Sequence, residues 1–322
     1  MNARPEDRSS PTQPRSCIAE SPADDCPQCQ GHGIVVVAER EYAVAEICKH
    51  LSNCANCRGS GYRRGRDAAG YELALPCALS GLRRRANLFK LAKIPAQFSS
   101  SSYPSYQPRT DLQRSAKMAL GSFLAQLSRV EIDGQGHLPA RLRGIGLSGP
   151  PGVGKTHLLV GVARILTLDY GVPVHFSDFS QLLWSLKAGF DAGQSETTLI
   201  RPLVEVEALF IDELGKGRAT EWELGVLDAL ISSRYNRGAL TFFATNHPYR
   251  EQIPADAAGA RRLAESRDNA RLESLETRVG GRIASRLSAM CDWLEIDGAD
   301  ARPGSWQSPG SGKGPRESGR NP

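Results

Sequence analysis

Between residues 144 and 245 the chain alternates short apolar runs with longer stretches whose apolar residues recur every three or four positions. Residues 145–148, 172–176, 209–212 and 240–245 have strand length, and helical patterns begin at Lys155, Phe179 and Glu221 between them. That alternation predicts parallel strands joined by crossover helices, hence an α/β fold around a parallel central sheet. A further helical pattern over 112–130, with Ala116, Leu120, Phe123, Leu124 and Leu127 on one face, leads into this region. Upstream the pattern is poorer: one β-like run, Ile-Val-Val-Val at 34–37, lies in a stretch dense in Gly and Cys.

The interruptions suggest a division of the chain. Residues 1–23 and 303–322 are rich in Pro, Ser and charge with little apolar content, so two disordered tails are expected. The Cys-rich stretch 24–76 reads as a small metal-binding module. Residues 77–110 read as a basic segment and linker, because Ser-Ser-Ser-Ser-Tyr-Pro-Ser-Tyr-Gln-Pro at 99–108 breaks regular structure. Residues 111–302 then form the main domain.

Composition changes this picture little. The chain has 322 residues and a formal charge of +5, from 40 Lys and Arg against 35 Asp and Glu, which permits nucleic-acid binding without demanding it. The apolar runs are too short to cross a bilayer and the start does not read as a secretion signal, so a cytoplasmic protein without a membrane partner is expected. In that compartment eight cysteines point to metal rather than disulfides.

The chemistry concentrates after the first strand of the main domain. Gly149-Pro150-Pro151-Gly152-Val153-Gly154-Lys155-Thr156 is a complete P-loop, followed by His157 and an apolar helix. Its glycines let backbone amides turn towards phosphate oxygens, Lys155 reaches the β and γ phosphates, and Thr156 ligates magnesium. The run ending in Asp212-Glu213 supplies a second magnesium ligand, Asp212, and a carboxylate, Glu213, that polarises the attacking water. Asn246, at the end of the last run, is placed to orient that water. Arg282 and Arg286, four apart, share one helix face, from which one could reach a neighbouring subunit's γ phosphate. ATP and Mg2+ are the implied cofactors.

These residues carry a family resemblance. Residues from about 140 to 302 resemble the AAA+ helicase loaders of the DnaC/DnaI type and the related IstB transposition helpers. The likeness rests on Gly149 to His157, on Leu209 to Leu214, on Ile231-Ser-Ser-Arg-Tyr-Asn236, on Thr245-Asn-His-Pro248, and on Arg278 to Cys291. It implies an AAA+ P-loop ATPase in which Lys155, Glu213, Asn246 and Arg286 are catalytic, with Asn246 as first sensor and Arg286 as an arginine finger in trans. Self-association through Arg286 follows from that role. Residues 251–275 look longer than the family's usual connection, and no helical lid follows Arg302.

The cysteines form two like knuckles, Cys26-Pro-Gln-Cys29-Gln-Gly-His-Gly33 and Cys54-Ala-Asn-Cys57-Arg-Gly-Ser-Gly61. Two knuckles with four thiolates fit one tetrahedral zinc site of Cys26, Cys29, Cys54 and Cys57, with Cys48, His32 and His50 as substitutes and Cys77 and Cys17 less favoured. The knuckles resemble the zinc centres of DnaJ-type co-chaperones. In loaders resembling this chain an N-terminal module grips the replicative helicase, so a DnaB-type helicase is the implied partner. Single-stranded DNA is a second partner, with Lys187 and Trp184 as candidate contacts. The resulting expectation is a loader that holds ATP and DNA and releases helicase on hydrolysis. Alternatives are an IstB-like regulator of transposition and a zinc-dependent chaperone adaptor.

Overall fold

A computed structural model describes residues 26–29, 32–51, 54, 57–58, 60–138, 142–249 and 273–302. The expected tails, Cys17 and most of the long connection at 251–275 lie outside these residues. Five parallel strands make the main sheet: β5 (Gly144–Ser148), β6 (Val174–Asp178), β7 (Ala208–Asp212), β8 (Leu240–Thr245) and β9 (Cys291–Glu295), in the order β6-β7-β8-β5-β9. Strands β5, β7 and β8 are buried at every position, as strands covered on both faces must be. That is why they read as continuous apolar runs.

Helices α2 (Asp111–Leu127), α3 (Lys155–Leu168), α4 (Phe179–Asp191), α5 (Glu196–Glu205), α6 (Glu221–Arg237), α7 (Leu275–Val279) and α8 (Gly281–Met290) surround the sheet. Their starts carry local signals. Thr110, Asp178, Ser195 and Ser274 each cap a helix by accepting from a backbone N–H of its first turn, and Thr220 with Glu223 forms a capping box on α6. One core layer joins α2 and α3 to the sheet through Phe123, Leu158, Val162, Phe210 and Phe242. The other joins α4, α5, α6 and α8 through Leu183, Leu203, Ile211, Leu230, Phe243 and Leu287.

The N-terminal half differs from its expected division. Two antiparallel hairpins, β1 (Ile34–Glu39) with β2 (Tyr42–Ile47) and β3 (Tyr62–Arg66) with β4 (Glu72–Pro76), lead into helix α1 (Ala78–Leu91). Helix α1 packs on α3 and β2, and Phe176 of β6 donates a backbone hydrogen bond to Ala92 O at 2.8 Å. Phe89, Ala92 and Ile94 share the main core with Ala43 of β2. The stretch expected as a basic segment and linker therefore packs on the main body: its apolar residues sit on one face of α1, and half-buried Arg84 and Arg85 donate to Gly171 O and Leu168 O at 3.0 and 3.3 Å. The Ser-rich stretch is also docked: Tyr103 donates to Lys117 O at 2.7 Å, Tyr106 to Val153 O at 3.1 Å, and Arg164 to Ser99 O at 3.0 Å.

Candidate functional site

The strand order explains why distant residues meet. Strand β8 lies between β5 and β7, so the C-terminal ends of three adjacent strands present the glycine loop, Asn246 and Asp212-Glu213 side by side. Helix α3 begins at this edge with Gly154 as its N-cap, at φ 97°, and no side chain caps it. Its first N–H groups thus face the loop with the positive end of the helix dipole behind them, an arrangement that favours phosphate. A side chain at Gly154 would be strained there and would also meet the Tyr106 ring, its Cβ lying 2.5 Å from the nearest ring carbon.

Buried Lys155 donates to Gly149 O, Pro150 O and Asn246 Oδ1 at 2.7, 2.8 and 2.8 Å. Thr156 Oγ1 donates to Asp212 Oδ2 at 2.7 Å, so the two expected magnesium ligands are already in contact. Burial pushes the Asp212 carboxyl up to about 6, against the Thr156 hydroxyl and the Glu213 N–H that both favour its charged form. Glu213 occupies the left-handed region at φ 53° while its N–H donates to Asp212 Oδ1 at 3.0 Å. Such backbone costs on the order of 1 kcal/mol for a non-glycine residue, a strain that persists where the surroundings enforce it. Here Leu214 N donates to Ala244 O at 2.7 Å and holds the chain just past the turn.

These residues fit a magnesium nucleotide. Lys155, the α3 N–H groups and the glycine loop would hold phosphates, Thr156 and Asp212 would hold the metal, and the metal would neutralise charge on the transferring phosphoryl group. Glu213 forms a short ion pair with Lys216, a partner that no sequence motif signalled. Arg278 is a second unforeseen cation: it lines a cavity with Glu213, Asn246 and His247 and donates to Gly215 O at 3.2 Å.

Other expected residues fall elsewhere. The His157 ring contacts Ser105 Oγ and Ser102 O, each at 3.0 Å, with Tyr106 edge-on, so it clamps the 102–106 segment rather than lining the phosphate loop. Pro151 is exposed at the loop tip and Val153 is buried beneath it. Arg286 pairs with Asp228 of α6 at 2.9 Å and Arg282 approaches the same carboxylate at 3.7 Å, so neither belongs to the chain's own nucleotide edge. The segment after β9 crosses the loop, where Ala301 N donates to Gly152 O at 3.1 Å. Trp184 is 72% exposed, not core, and lines a groove of about 560 Å³ with Lys187, Lys216, Arg218 and Trp222.

The cysteines correct the expected zinc site. Cys26 and Cys29 group with Cys48 and His50, whereas Cys54 and Cys57 group with Cys77. Each hairpin returns the chain to its own knuckle, so the substitutes Cys48 and His50 stand beside the first knuckle and the less favoured Cys77 beside the second. His32 belongs to neither group. The donor sets are thiolate-rich and suit zinc. Backbone N–H groups of Cys29 and Gln28 lower the Cys26 thiol to about 6, which favours the thiolate a metal requires.

A parallel sheet in this order, with a glycine loop after β5 and an Asp-Glu pair two strands away, defines a P-loop nucleotide-binding protein of the AAA+ type. Residues 77–258, more than half of the chain, match the family model described as IstB-like ATP binding protein, and the chain belongs to that family. It is 34% identical over 100 residues to the uncharacterized protein YqaM of Bacillus subtilis, covering 30% of this chain and 31% of that one. It is 30% identical over 100 residues to the replicative helicase loader DnaC of Escherichia coli, covering 31% of this chain and 40% of the relative. The chain thus spans well under half the length of these two relatives. A crystal structure of the DnaC helicase loader superposes with a TM-score of 0.48 at 24% identity, over 62% of this chain and 98% of that one. No described helix is long and apolar enough to cross a membrane.

Proposed function

We propose that this chain is an ATP-dependent loader of a replicative DNA helicase of the DnaB type, which binds single-stranded DNA and releases the helicase when ATP is hydrolysed. The observation that carries the reading is the separation of two half-sites. Lys155, Thr156, Asp212, Glu213 and Asn246 gather at the mouth of α3, while Arg286 stands on α8, turned to Asp228. Glu213 takes the role of general base for water, Asn246 orients it, and Arg286 completes the site of a neighbouring subunit in an ATP-bound assembly. The likeness to a helicase loader supports the choice of partner. The exposed Trp184 beside Lys187 supports DNA binding, since bases stack on aromatic faces while cations follow the backbone.

The test is ATP turnover of the full chain with and without single-stranded DNA, together with capture of the host's DnaB-type helicase under ATP and ADP. DNA-stimulated turnover and ATP-dependent capture are the expected results. A chain that retains no helicase under either nucleotide is not a loader. A regulator of transposition is the second reading, in line with the resemblance to the IstB transposition helpers. A transposase gene beside this one, with retention of the transposase in place of the helicase, would select it.

A further inference from the structure

The two cysteine groups lie on two copies of one structural unit. In the first, His32 N donates to Cys29 O, Cys48 N to Gly33 O and Leu51 N to Cys48 O, each at 2.9 Å. In the second, Ser60 N donates to Cys57 O and Cys77 N to Gly61 O at 2.9 Å, and Ser80 N to Cys77 O at 2.8 Å. One offset relates Cys26, Cys29, His32 and Gly33 to Cys54, Cys57, Ser60 and Gly61, and one residue more relates Cys48, His50 and Leu51 to Cys77, Leu79 and Ser80. Each copy is a knuckle, a glycine with positive φ, an antiparallel hairpin and a returning cysteine. The sulfur spacing agrees in both: Cys26 to Cys48 is 3.7 Å and Cys54 to Cys77 is 3.9 Å. Tetrahedral zinc at its usual sulfur distance separates two thiolates by about 3.8 Å.

The copies differ at one decisive place. His50, whose Nδ1 lies 3.8 Å from Cys29 Sγ, is the fourth member of the first group. Its counterpart, Leu79, is 1% exposed and packs in a small core with Ile34, Leu51 and Leu82. A leucine donates nothing to a metal.

We propose that the two copies hold two separate zinc ions: a Cys26/Cys29/Cys48/His50 site, and a three-thiolate site of Cys54, Cys57 and Cys77 whose fourth ligand comes from outside the repeat. Each thiol that binds gives up its proton to solvent as its sulfur bonds the metal. The second site ends at the N-cap of α1, the helix that packs on α3, so it fastens the second ribbon to the nucleotide-binding body. Its fourth, exchangeable position makes it the faster of the two to lose zinc.

Zinc bound to the purified full-length chain, counted by plasma mass spectrometry, is expected at two equivalents. Cys48→Ser and Cys77→Ser should each lose one equivalent, and a zinc-chelating dye should remove the metal of the Cys48→Ser protein faster than that of Cys77→Ser. A single equivalent that survives both substitutions would restore one site made of both knuckles and overturn the proposal, as would absence of zinc. Should the variants fail to fold, cobalt(II) titration of the wild-type apo chain decides: thiolate-to-cobalt absorption must grow to two equivalents, and saturation at one refutes the second site. None of these readouts depends on helicase loading.

Discussion

Lys155 and Glu213 differ in what their loss should do. Lys155 is buried and its ammonium is shared by the loop carbonyls and Asn246, so Lys155→Ala removes both phosphate charge and loop order. Glu213 is paired with Lys216 and lies beside Asp178. Lys155→Ala should abolish nucleotide binding, whereas Glu213→Gln should keep it and hold the ATP state; equal loss of binding in both, by fluorescent-nucleotide titration, would contradict these roles. Arg234 is a purely structural counterpart. It is fully buried, donates to Leu203 O and Val206 O at 2.7 and 2.9 Å and to Thr241 Oγ1 at 3.0 Å, and burial lowers it to about 9. This explains why the Ser-Ser-Arg-Tyr-Asn segment is so distinctive: its arginine ties α6 to the ends of α5 and β8. Arg234→Ala leaves several buried carbonyls without a donor and should cost about 3 kcal/mol or more in urea denaturation, with Arg234→Lys recovering little because an ammonium cannot span the fork.

His175 makes the stability of the fold depend on pH. Burial pushes its imidazole down to about 4, so between about 6.5 and 4 the unfolded chain binds the proton that the folded one refuses. Stability therefore falls as pH drops through that window. His175→Gln should flatten the difference between denaturation at pH 4.5 and at pH 7.5 relative to wild type, and an unchanged difference would assign the acid sensitivity to other groups.

At the scale of elements, α8 carries the arginines as one face, and their common partner Asp228 on α6 orients Arg286 away from the chain's own site. Arg286→Ala is expected to lower turnover by about tenfold or more without changing nucleotide affinity. Mixing it with a Glu213→Gln chain, which is inactive but keeps Arg286, should restore part of the activity; failure of that rescue argues against a finger acting in trans. Helix α4 makes the companion prediction. Its exposed Trp184 contributes no core packing, so Trp184→Ala should leave Tm and basal turnover in place and remove most of the stimulation by single-stranded DNA.

Across the whole molecule, the first N-terminal hairpin and the nucleotide domain share one core. Ala43 of β2 lies at 0% exposure among Phe89, Ala92 and Ile94, and Ala43 N donates to Ile94 O at 2.7 Å. If zinc folds the first hairpin as proposed, loss of the metal should lower the stability of the main core to which that hairpin contributes. Treatment of the full chain with a zinc chelator is expected to lower the Tm of the main unfolding transition, read by calorimetry, and not merely to remove a separate early transition.

Periodicity determined the alternation of strand and helix from β5 to β8, since strands buried on both faces must be apolar throughout, whereas the caps Asp178 and Thr220 that start α4 and α6 showed only in the structure. The glycine loop and the Asp212-Glu213 pair were legible because their residue types and spacing are the chemistry itself. Helix α1 was not, because its apolar face is diluted by arginines and only packing on α3 makes that face matter. Lys216 and Arg278 reached the site through turns and helix ends that carry no motif. The cysteine groups divide the same way. The knuckles were visible as neighbours in the chain, but which cysteine completes each depends on where a hairpin returns, and only the tertiary structure decides that.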